Sequence, residues 1–154
     1  SSASSDTDVS IYGVGNLLTR LGRCCQPAPG DAIIGFITRG EGVTIHRSDC
    51  ANVAHLEKTS PERLIEVSWQ SDTARRYPVG IIVEAYDRQG LIGDISALFK
   101  HEQINVTAVN TQTDPNDQLA RMTLTAEVGD VNQLSRVMER IAGLRNVRDV
   151  HRAR

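Results

Sequence analysis

Val79-Gly80-Ile81-Ile82-Val83-Glu84-Ala85-Tyr86, then Asp87-Arg88-Gln89-Gly90, then Leu91-Ile92-Gly93-Asp94-Ile95-Ser96-Ala97-Leu98-Phe99, decides the fold of the second half of this chain. The first run is apolar and β-branched, the next four residues carry turn chemistry, and Leu91, Ile92, Ile95, Leu98 and Phe99 recur at helical spacing. A strand, a glycine-containing loop and a helix are expected in that order. Towards the C-terminus, Ile104, Val106 and Ala108 alternate with Asn105 and Thr107. Asp114-Pro115-Asn116-Asp117 breaks the chain, and Ala120, Met122, Leu124, Ala126 and Val128 alternate with polar residues. Asp130, with Gln133 three residues on, can cap a helix whose apolar stripe is Val131, Leu134, Val137, Met138, Ile141 and Leu144, ending near Gly143. A last extended segment, Asn146 to Arg152, completes the order βαββαβ.

That order is the ferredoxin-like split βαβ arrangement, four antiparallel strands with both helices on one face. Towards the N-terminus, Gln70-Ser71-Asp72-Thr73-Ala74-Arg75-Arg76-Tyr77-Pro78 is polar, aperiodic and closed by a proline, which marks a domain boundary. The expected division is a disordered leader at 1-10, a first domain at 11-70, a linker at 71-78 and a second domain at 79-154. The fold class is α+β, with a small α/β finger-like domain ahead of the βαββαβ domain. Residues 1-10 are Ser- and Asp-rich and cannot repay the cost of ordering.

The whole chain has 154 residues, 40% hydrophobic and 23% charged, with 17 Lys+Arg against 19 Asp+Glu and a net charge of -2. Near-neutrality excludes non-specific attachment to nucleic acid or an anionic membrane through bulk charge, so any basic surface must be local. No apolar run approaches the roughly 20 residues of a membrane-spanning helix, and SSASSDTDVS lacks the basic and apolar regions of a secretory signal. A soluble, cytoplasmic protein with no membrane partner is expected. Three Cys, two of them adjacent, cannot build a disulfide framework.

In the first half, Gly15 to Leu21 reads as a short helix, and Cys24-Cys25-Gln26-Pro27-Ala28-Pro29-Gly30-Asp31 as a loop, because two prolines and a glycine forbid regular structure. Ala32 to Thr38 and Gly42 to Arg47 are β-rich, with Arg39-Gly40-Glu41 as the hairpin between them. Ser48 can cap a short helix through Cys50, Val53 and Leu56, and Arg63 to Trp69 reads as a third strand. Cys24, Cys25, His46 and Cys50 form a soft four-ligand set suited to tetrahedral zinc. The adjacent pair lacks the usual two-residue spacer, so both sulfurs converge only where Gln26-Pro27 bends the backbone sharply. Structural zinc, inert buried thiols and a redox pair all remain open at this level. A thiol enzyme, with His46 activating Cys24 or Cys25, is a further alternative, disfavoured because a third Cys beside the His suits coordination better.

Asp87-Arg88-Gln89-Gly90-Leu91-Ile92-Gly93-Asp94-Ile95, with Ile104-Asn105-Val106 after it, resembles the ACT domain over about residues 78-153. Gly13-Val14-Gly15-Asn16-Leu17-Leu18, Arg23-Cys24-Cys25-Gln26-Pro27-Ala28-Pro29-Gly30-Asp31, and His46-Arg47-Ser48-Asp49-Cys50 closely resemble the C-terminal regulatory region of long RelA/SpoT homologues, over about residues 11-153. Those are stringent-response enzymes that make, and in some members hydrolyse, guanosine tetra- and pentaphosphate. The resemblance implies a zinc-finger or RIS domain with one Zn2+ on Cys24, Cys25, His46 and Cys50, followed by an ACT domain that dimerises. The Cys24-Cys25-Gln26-Pro27 version resembles the RelA-like synthetase branch. The resemblance also implies that the catalytic domains lie outside this chain, which is therefore expected to regulate a GTP pyrophosphokinase rather than catalyse.

A ribosomal RNA partner for the first domain is implied too, with Arg20, Arg23, Arg39 and Arg47 offering cations to phosphate. From charge alone they read as a solvated surface, matched by Asp31, Glu41 and Asp49. Six aromatic residues in all make a base-stacking platform improbable. For the ACT half, Gly90 and Leu91 can offer helix N–H groups to an amino-acid carboxylate, and Asp87 and Asn105 can take its amino group if strands one and two of that domain are adjacent. Asp-x-x-Gly is equally a plain turn into a helix. A stand-alone amino-acid-sensing ACT regulator is the competing reading of the whole chain.

Overall fold

The computed structural model describes residues 11–14, 17–40, 42–70, 75–86, 89–116 and 118–153. The expected leader at 1-10, residues 71-74 of the linker and Asp87 lie outside the described residues. The chain divides into two compact units that part between Arg75 and Arg76.

The first unit opens with β1 (Ile11–Tyr12) and β2 (Thr19–Leu21). The hairpin β3 (Ile33–Thr38) and β4 (Gly42–Arg47) follows where the two β-rich runs flank Arg39-Gly40-Glu41, with Ile33 opposite Arg47 and Thr38 opposite Gly42. Helix α1 (Ala51–Thr59), a 3-10 turn at Pro61–Arg63, β5 (Leu64–Ile65) and β6 (Ser68–Trp69) complete it. The main sheet has the order β2-β4-β3-β5, and β1 pairs with β6 in a separate ribbon. Ile11, Val14, Val43, Ile45 and Val67 form the core, with Leu21, Ile33, Ile37, Ile65 and Trp69 packed against it.

Three expectations for this unit are corrected. The helix expected from Gly15 to Leu21 is instead a strand at its C-terminal end, parallel to β4. Seven residues are too few to sustain a helix, and the backbone finds partners on the open edge of β4: the Val43 N–H donates to Leu18 O at 2.7 Å and the Gly22 N–H to Ile45 O at 2.7 Å. The single strand expected from Arg63 to Trp69 splits in two, because Leu64 and Ile65 pair with β3 while Ser68 and Trp69 pair with β1. The helix cap is Cys50 and not Ser48. The Ser48 N–H donates to Ala32 O at 2.8 Å, prolonging the hairpin, and the Cys50 N–H donates to Arg47 O at 3.0 Å in a turn that delays the helix.

The second unit follows the expected order: β7 (Tyr77–Tyr86), α2 (Leu91–His101), β8 (Asn105–Thr113), β9 (Leu119–Val128), α3 (Val131–Ala142) and β10 (Val147–Arg152). Its antiparallel sheet has the order β10-β7-β9-β8. Val79, Ile81, Val83 and Ala85 of β7, with Ala120, Met122, Leu124 and Ala126 of β9, form one buried face, and Leu91, Ile95 and Phe99 of α2 and Leu134, Val137 and Ile141 of α3 are buried with them. Each of these buried Val, Leu, Ile, Met and Phe side chains contributes roughly 1.5–3 kcal/mol, and the alanines less. The α3 cap forms as read: Asp130 Oδ1 accepts the Gln133 N–H at 2.9 Å, and Gln133 Oε1 accepts the Gly129 N–H at 2.8 Å. Gln133 Nε2 also donates to Glu102 O at 3.0 Å, tying α3 to the end of α2.

Candidate functional site

The four candidate ligands arrive from three segments. Cys24 and Cys25 sit in a turn after β2 that the Gln26 N–H closes on Gly22 O at 3.0 Å. Gln26 itself is left-handed at φ 48, which supplies the sharp bend that adjacent cysteines need. The loop beyond is held by Asp31, whose Oδ2 accepts the Ala28 N–H at 2.8 Å and whose carbonyl accepts Trp69 Nε1–H at 3.1 Å. His46 lies on β4 and Cys50 at the head of α1.

Their donor atoms converge. Cys24 Sγ is 3.9 Å from Cys25 Sγ, 3.6 Å from Cys50 Sγ and 3.4 Å from His46 Nδ1, and Cys25 Sγ is 3.7 Å from the same nitrogen. A tetrahedron with metal–sulfur bonds of about 2.3 Å and a metal–nitrogen bond of about 2.05 Å has edges of roughly 3.8 Å and 3.5 Å. The cluster therefore has the spacing of a four-coordinate site that could hold a metal ion, and all four donors lie within 4.8 Å of one another.

The electrostatics favour coordination over free ions. Burial pushes the Cys25 thiol up to about 12, against the pull of the Arg47 N–H that donates to its sulfur at 3.2 Å. Burial lowers His46, which keeps the imidazole neutral and its nitrogen free to ligate. At Cys50 burial acts upward, but the amides of Asn52 and Val53 at the head of α1, together with the thiols of Cys24 and Cys25, bring it below its usual value. One imidazole nitrogen facing two sulfurs is poor geometry for a base serving one nucleophile, and good geometry for a shared cation.

The four arginines do not form one patch. Arg20 and Arg23 are exposed on and just after β2, and Arg39 is exposed at the β3–β4 hairpin tip. Arg47 stands at the other end of β4, five residues or roughly 17 Å along the strand from the tip, and its guanidinium pairs with Asp49 at 2.7 Å. Sequence reading missed Arg63, whose guanidinium lies 4.5 Å from the Phe36 ring centroid and whose Nε–H donates to Ile37 O at 2.8 Å. Phe36, Thr44 and Arg20 share one register row, so Arg63 and Arg20 belong to the same face of the sheet. That row needs the parallel β2–β4 pairing, which no periodicity announces.

The amino-acid set is divided, and this corrects the expectation. Strands β7 and β8 are not adjacent, because β9 lies between them. Gly90, left-handed at φ 86, and Leu91 border a cleft of about 400 Å³ with Thr111, Thr113 and Met122. Asn105 is opposite Glu127, whereas Thr113 is opposite Ala120. Six residues of strand, roughly 20 Å, separate Asn105 from Thr111, where that cleft begins. Asn105 Nδ2 donates to Glu127 Oε1 at 2.9 Å instead. Thr111 and Thr113 are the polar residues of β8 that border the cleft, where the strand order β10-β7-β9-β8 places them. A second cleft, about 420 Å³ and apolar, runs between α2 and β8, where Ile92 and Val109 are half exposed. No helix among the described residues is long and apolar enough to cross a membrane.

Residues 9–70 match the RelA/SpoT RIS domain family, and residues 73–152 match the ACT domain family. Over 94% of its length the chain is 39% identical to a GTP pyrophosphokinase of Escherichia coli K12, covering 19% of that protein. It is 41% identical over 97% of its length to a GTP pyrophosphokinase of Streptomyces coelicolor, covering 18% of it. It is 39% identical over 96% of its length to the bifunctional (p)ppGpp synthase/hydrolase RelA of Mycobacterium tuberculosis, covering 20% of it. The chain thus spans about a fifth of the length of the curated relatives it matches.

Proposed function

The chain belongs to the RelA/SpoT family, as an RIS domain followed by an ACT domain, and from that premise we propose that it regulates the catalytic domains of a stringent-response GTP pyrophosphokinase. The observation that carries this reading is the pairing, within one chain, of an RIS domain that gathers Cys24, Cys25, His46 and Cys50 with an ACT domain, at about 40% identity to the corresponding fifth of such enzymes. Neither matched domain accounts for synthesis or hydrolysis of (p)ppGpp, which we assign to residues outside this fifth. The parent protein is then a (p)ppGpp synthetase, in the RelA-like branch.

The donor set is three sulfurs and one nitrogen, which suits Zn2+ over harder cations. When bound, that ion would supply charge neutralisation and a cross-link, joining the turn after β2, the end of β4 and the head of α1. In a domain of this size such a cross-link supports folding itself. The partner of this domain is ribosomal RNA in a cytoplasmic setting, met through phosphate by Arg20, Arg23, Arg39 and Arg47. Arg39 reaches furthest, from an exposed hairpin tip.

The ACT domain supplies the dimer. Strand β8 is an unpaired edge, and the α2–β8 cleft leaves Ile92 56% and Val109 54% exposed, a surface that a second copy would cover. An amino acid is a second ligand reading for this domain, favoured by the cleft of about 400 Å³ at the Gly90 loop beside Thr111 and Thr113. The thiol-enzyme alternative has against it the single imidazole nitrogen shared by two sulfurs.

Co-sedimentation of the chain with purified ribosomes across a salt series tests the assignment. Binding that weakens as salt rises, and that falls further with Arg39→Glu and Arg47→Glu, is expected. Affinity unchanged by both substitutions would remove these arginines from the interface, and a chain that never co-sediments would remove the ribosome as its partner.

A further inference from the structure

We propose that Cys24 and Cys50 are a peroxide-responsive thiol pair, whose oxidation to a disulfide dismantles the metal centre. This rests on the metal reading above and adds a modification site to it.

Two observations single out this pair, and a third supplies the route to it. Cys24 Sγ and Cys50 Sγ are 3.6 Å apart, closer than the sequence neighbours Cys24 and Cys25 at 3.9 Å. A disulfide needs about 2.05 Å, so the two sulfurs must close by roughly 1.5 Å. They come from segments 26 residues apart, which spares the pair the constraint that a shared peptide bond places on Cys24 and Cys25. Second, Cys24 and Cys50 are half-buried, whereas Cys25 is only 5% exposed. Third, all three cysteines border a cleft of about 270 Å³ walled by Arg47, Asp49 and Asn52, so the route to the sulfurs is shared and the burial of Cys25 is what sets it apart. A water molecule's share of liquid is roughly 30 Å³, so a small peroxide enters easily. His46 is not among the residues bordering the cleft, which therefore opens on the sulfur side of the ligand set.

The chemistry balances with hydrogen peroxide as oxidant. The Cys50 thiolate attacks one peroxide oxygen, the O–O bond breaks, and the departing hydroxide takes a proton to become water. Cys50 is left as a sulfenic acid. The Cys24 thiolate then attacks the Cys50 sulfur, the S–S bond forms, the S–O bond breaks, and the second hydroxide leaves as water after taking a proton. Two thiolates lose two electrons and one peroxide becomes two waters, with two protons drawn from solvent. Cys25 and His46 alone are too few ligands for a closed tetrahedral site, and the ion leaves to solvent.

The test uses the whole chain, reduced, loaded with one equivalent of Zn2+ and exposed to hydrogen peroxide without oxygen. Released metal is read with a chromogenic chelator, and cysteine linkage by mass mapping of unreduced peptides. The expected result is one ion released per chain together with a Cys24–Cys50 cross-linked peptide, both reversed by a thiol reductant. The Cys25→Ser variant, which keeps the pair, is expected to give the same cross-link whatever its metal content. Thiols that stay reduced at peroxide levels oxidising free glutathione would overturn the proposal, as would release accompanied only by sulfinic acid or by a Cys24–Cys25 link. Linkage is mapped independently of metal content. A chain that holds no metal yet links Cys24 to Cys50 supports the pair and refutes the metal reading.

Discussion

Replacing Gly22 by Ala alters no candidate ligand, yet it should cost the chain much of its metal affinity. A Cβ at Gly22 would lie 2.8 Å from His46 Nδ1, 3.1 Å from His46 Cε1 and 3.2 Å from Ile45 O. Cβ contacts essentially never fall below 3.0 Å and ordinary contact begins at 3.4 Å, so the His46 nitrogen must retreat by 0.2 Å (3.0 − 2.8) at the least and by 0.6 Å (3.4 − 2.8) to reach an ordinary contact. The backbone cannot yield instead, because the Gly22 N–H is fixed on Ile45 O at 2.7 Å and its carbonyl accepts the Gln26 N–H at 3.0 Å. Metal–ligand distances tolerate about 0.2 Å, so a retreat of this size opens the Nδ1 edge of the tetrahedron. A tenfold to hundredfold weaker metal affinity is expected, the usual effect of disturbing an outer contact of a ligand, or about 1.4–2.8 kcal/mol. The sign is the stringent part. Gly22 is not among the left-handed glycines, and at an unstrained position Gly→Ala stabilises by about 0.4–1 kcal/mol through the unfolded state. Competition against a zinc chelator, paired with a melting curve in the loaded state, separates the outcomes, since 1 kcal/mol moves Tm by about 4–8 °C in a domain of this size. Unchanged affinity with a raised Tm would refute the packing of His46 against Gly22, and with it the orientation of the ligand nitrogen.

Val109→Asp places a charge on the exposed edge strand without touching the core, so folding should change by no more than about 0.5 kcal/mol while sedimentation shifts from dimer towards monomer; a dimer that survives would remove the α2–β8 surface from the interface. Asp130→Ala removes the acceptor of the Gln133 N–H and should destabilise the second unit by about 0.5–2 kcal/mol in urea, with Asp130→Asn, whose amide oxygen still accepts, recovering most of that loss; equal stability of the two variants and the parent would show the cap to be idle. Calorimetric titration with branched-chain amino acids should give saturable heats that Thr111→Phe abolishes by filling the cleft at Gly90; flat traces from a folded dimer would eliminate an amino-acid ligand.

The second unit was legible because its elements are long enough to state their own period. Ten residues of β9 alternate without a break, α3 carries its apolar stripe over three turns, and Asp130 with Gln133 announces its start. What the pattern could not convey is lateral order. Alternation assigns each residue to a face but says nothing of which strand lies beside which, and Asn105 meets Gly90 only under an adjacency that the sheet order does not contain. In the first unit the same limit reaches the elements themselves. Thr19 to Leu21 is a strand only because β4 leaves an edge with unpaired Val43 and Ile45 groups for it to complete. A three-residue strand with one non-local partner has no period to read. Leu64–Ile65 and Ser68–Trp69 likewise take their division from two different partners, β3 and β1, and not from a break in composition.

The cysteine pair shows where residue chemistry outran local geometry. Ligand identity was readable, since three sulfurs and an imidazole are a soft set wherever they meet. The missing spacer between Cys24 and Cys25 argues against convergence unless the backbone bends sharply, a bend that the sequence offers at Gln26-Pro27. The objection dissolves in a single helical turn from Gly22 to Gln26, closed by a left-handed Gln26, in which successive side chains diverge by about 100° and not by the 180° of a strand. At that angle both sulfurs reach His46 Nδ1, at 3.4 Å and 3.7 Å, while Cys50 comes from the head of α1 to close the set. The same turn requires Gly22 beneath the imidazole, because any side chain there would occupy the space of the ring. The spacing that looked defective is therefore the one that lets a tight turn present two thiols to one point, and the residues that make it work, Gly22 and Gln26, carry no ligand chemistry at all.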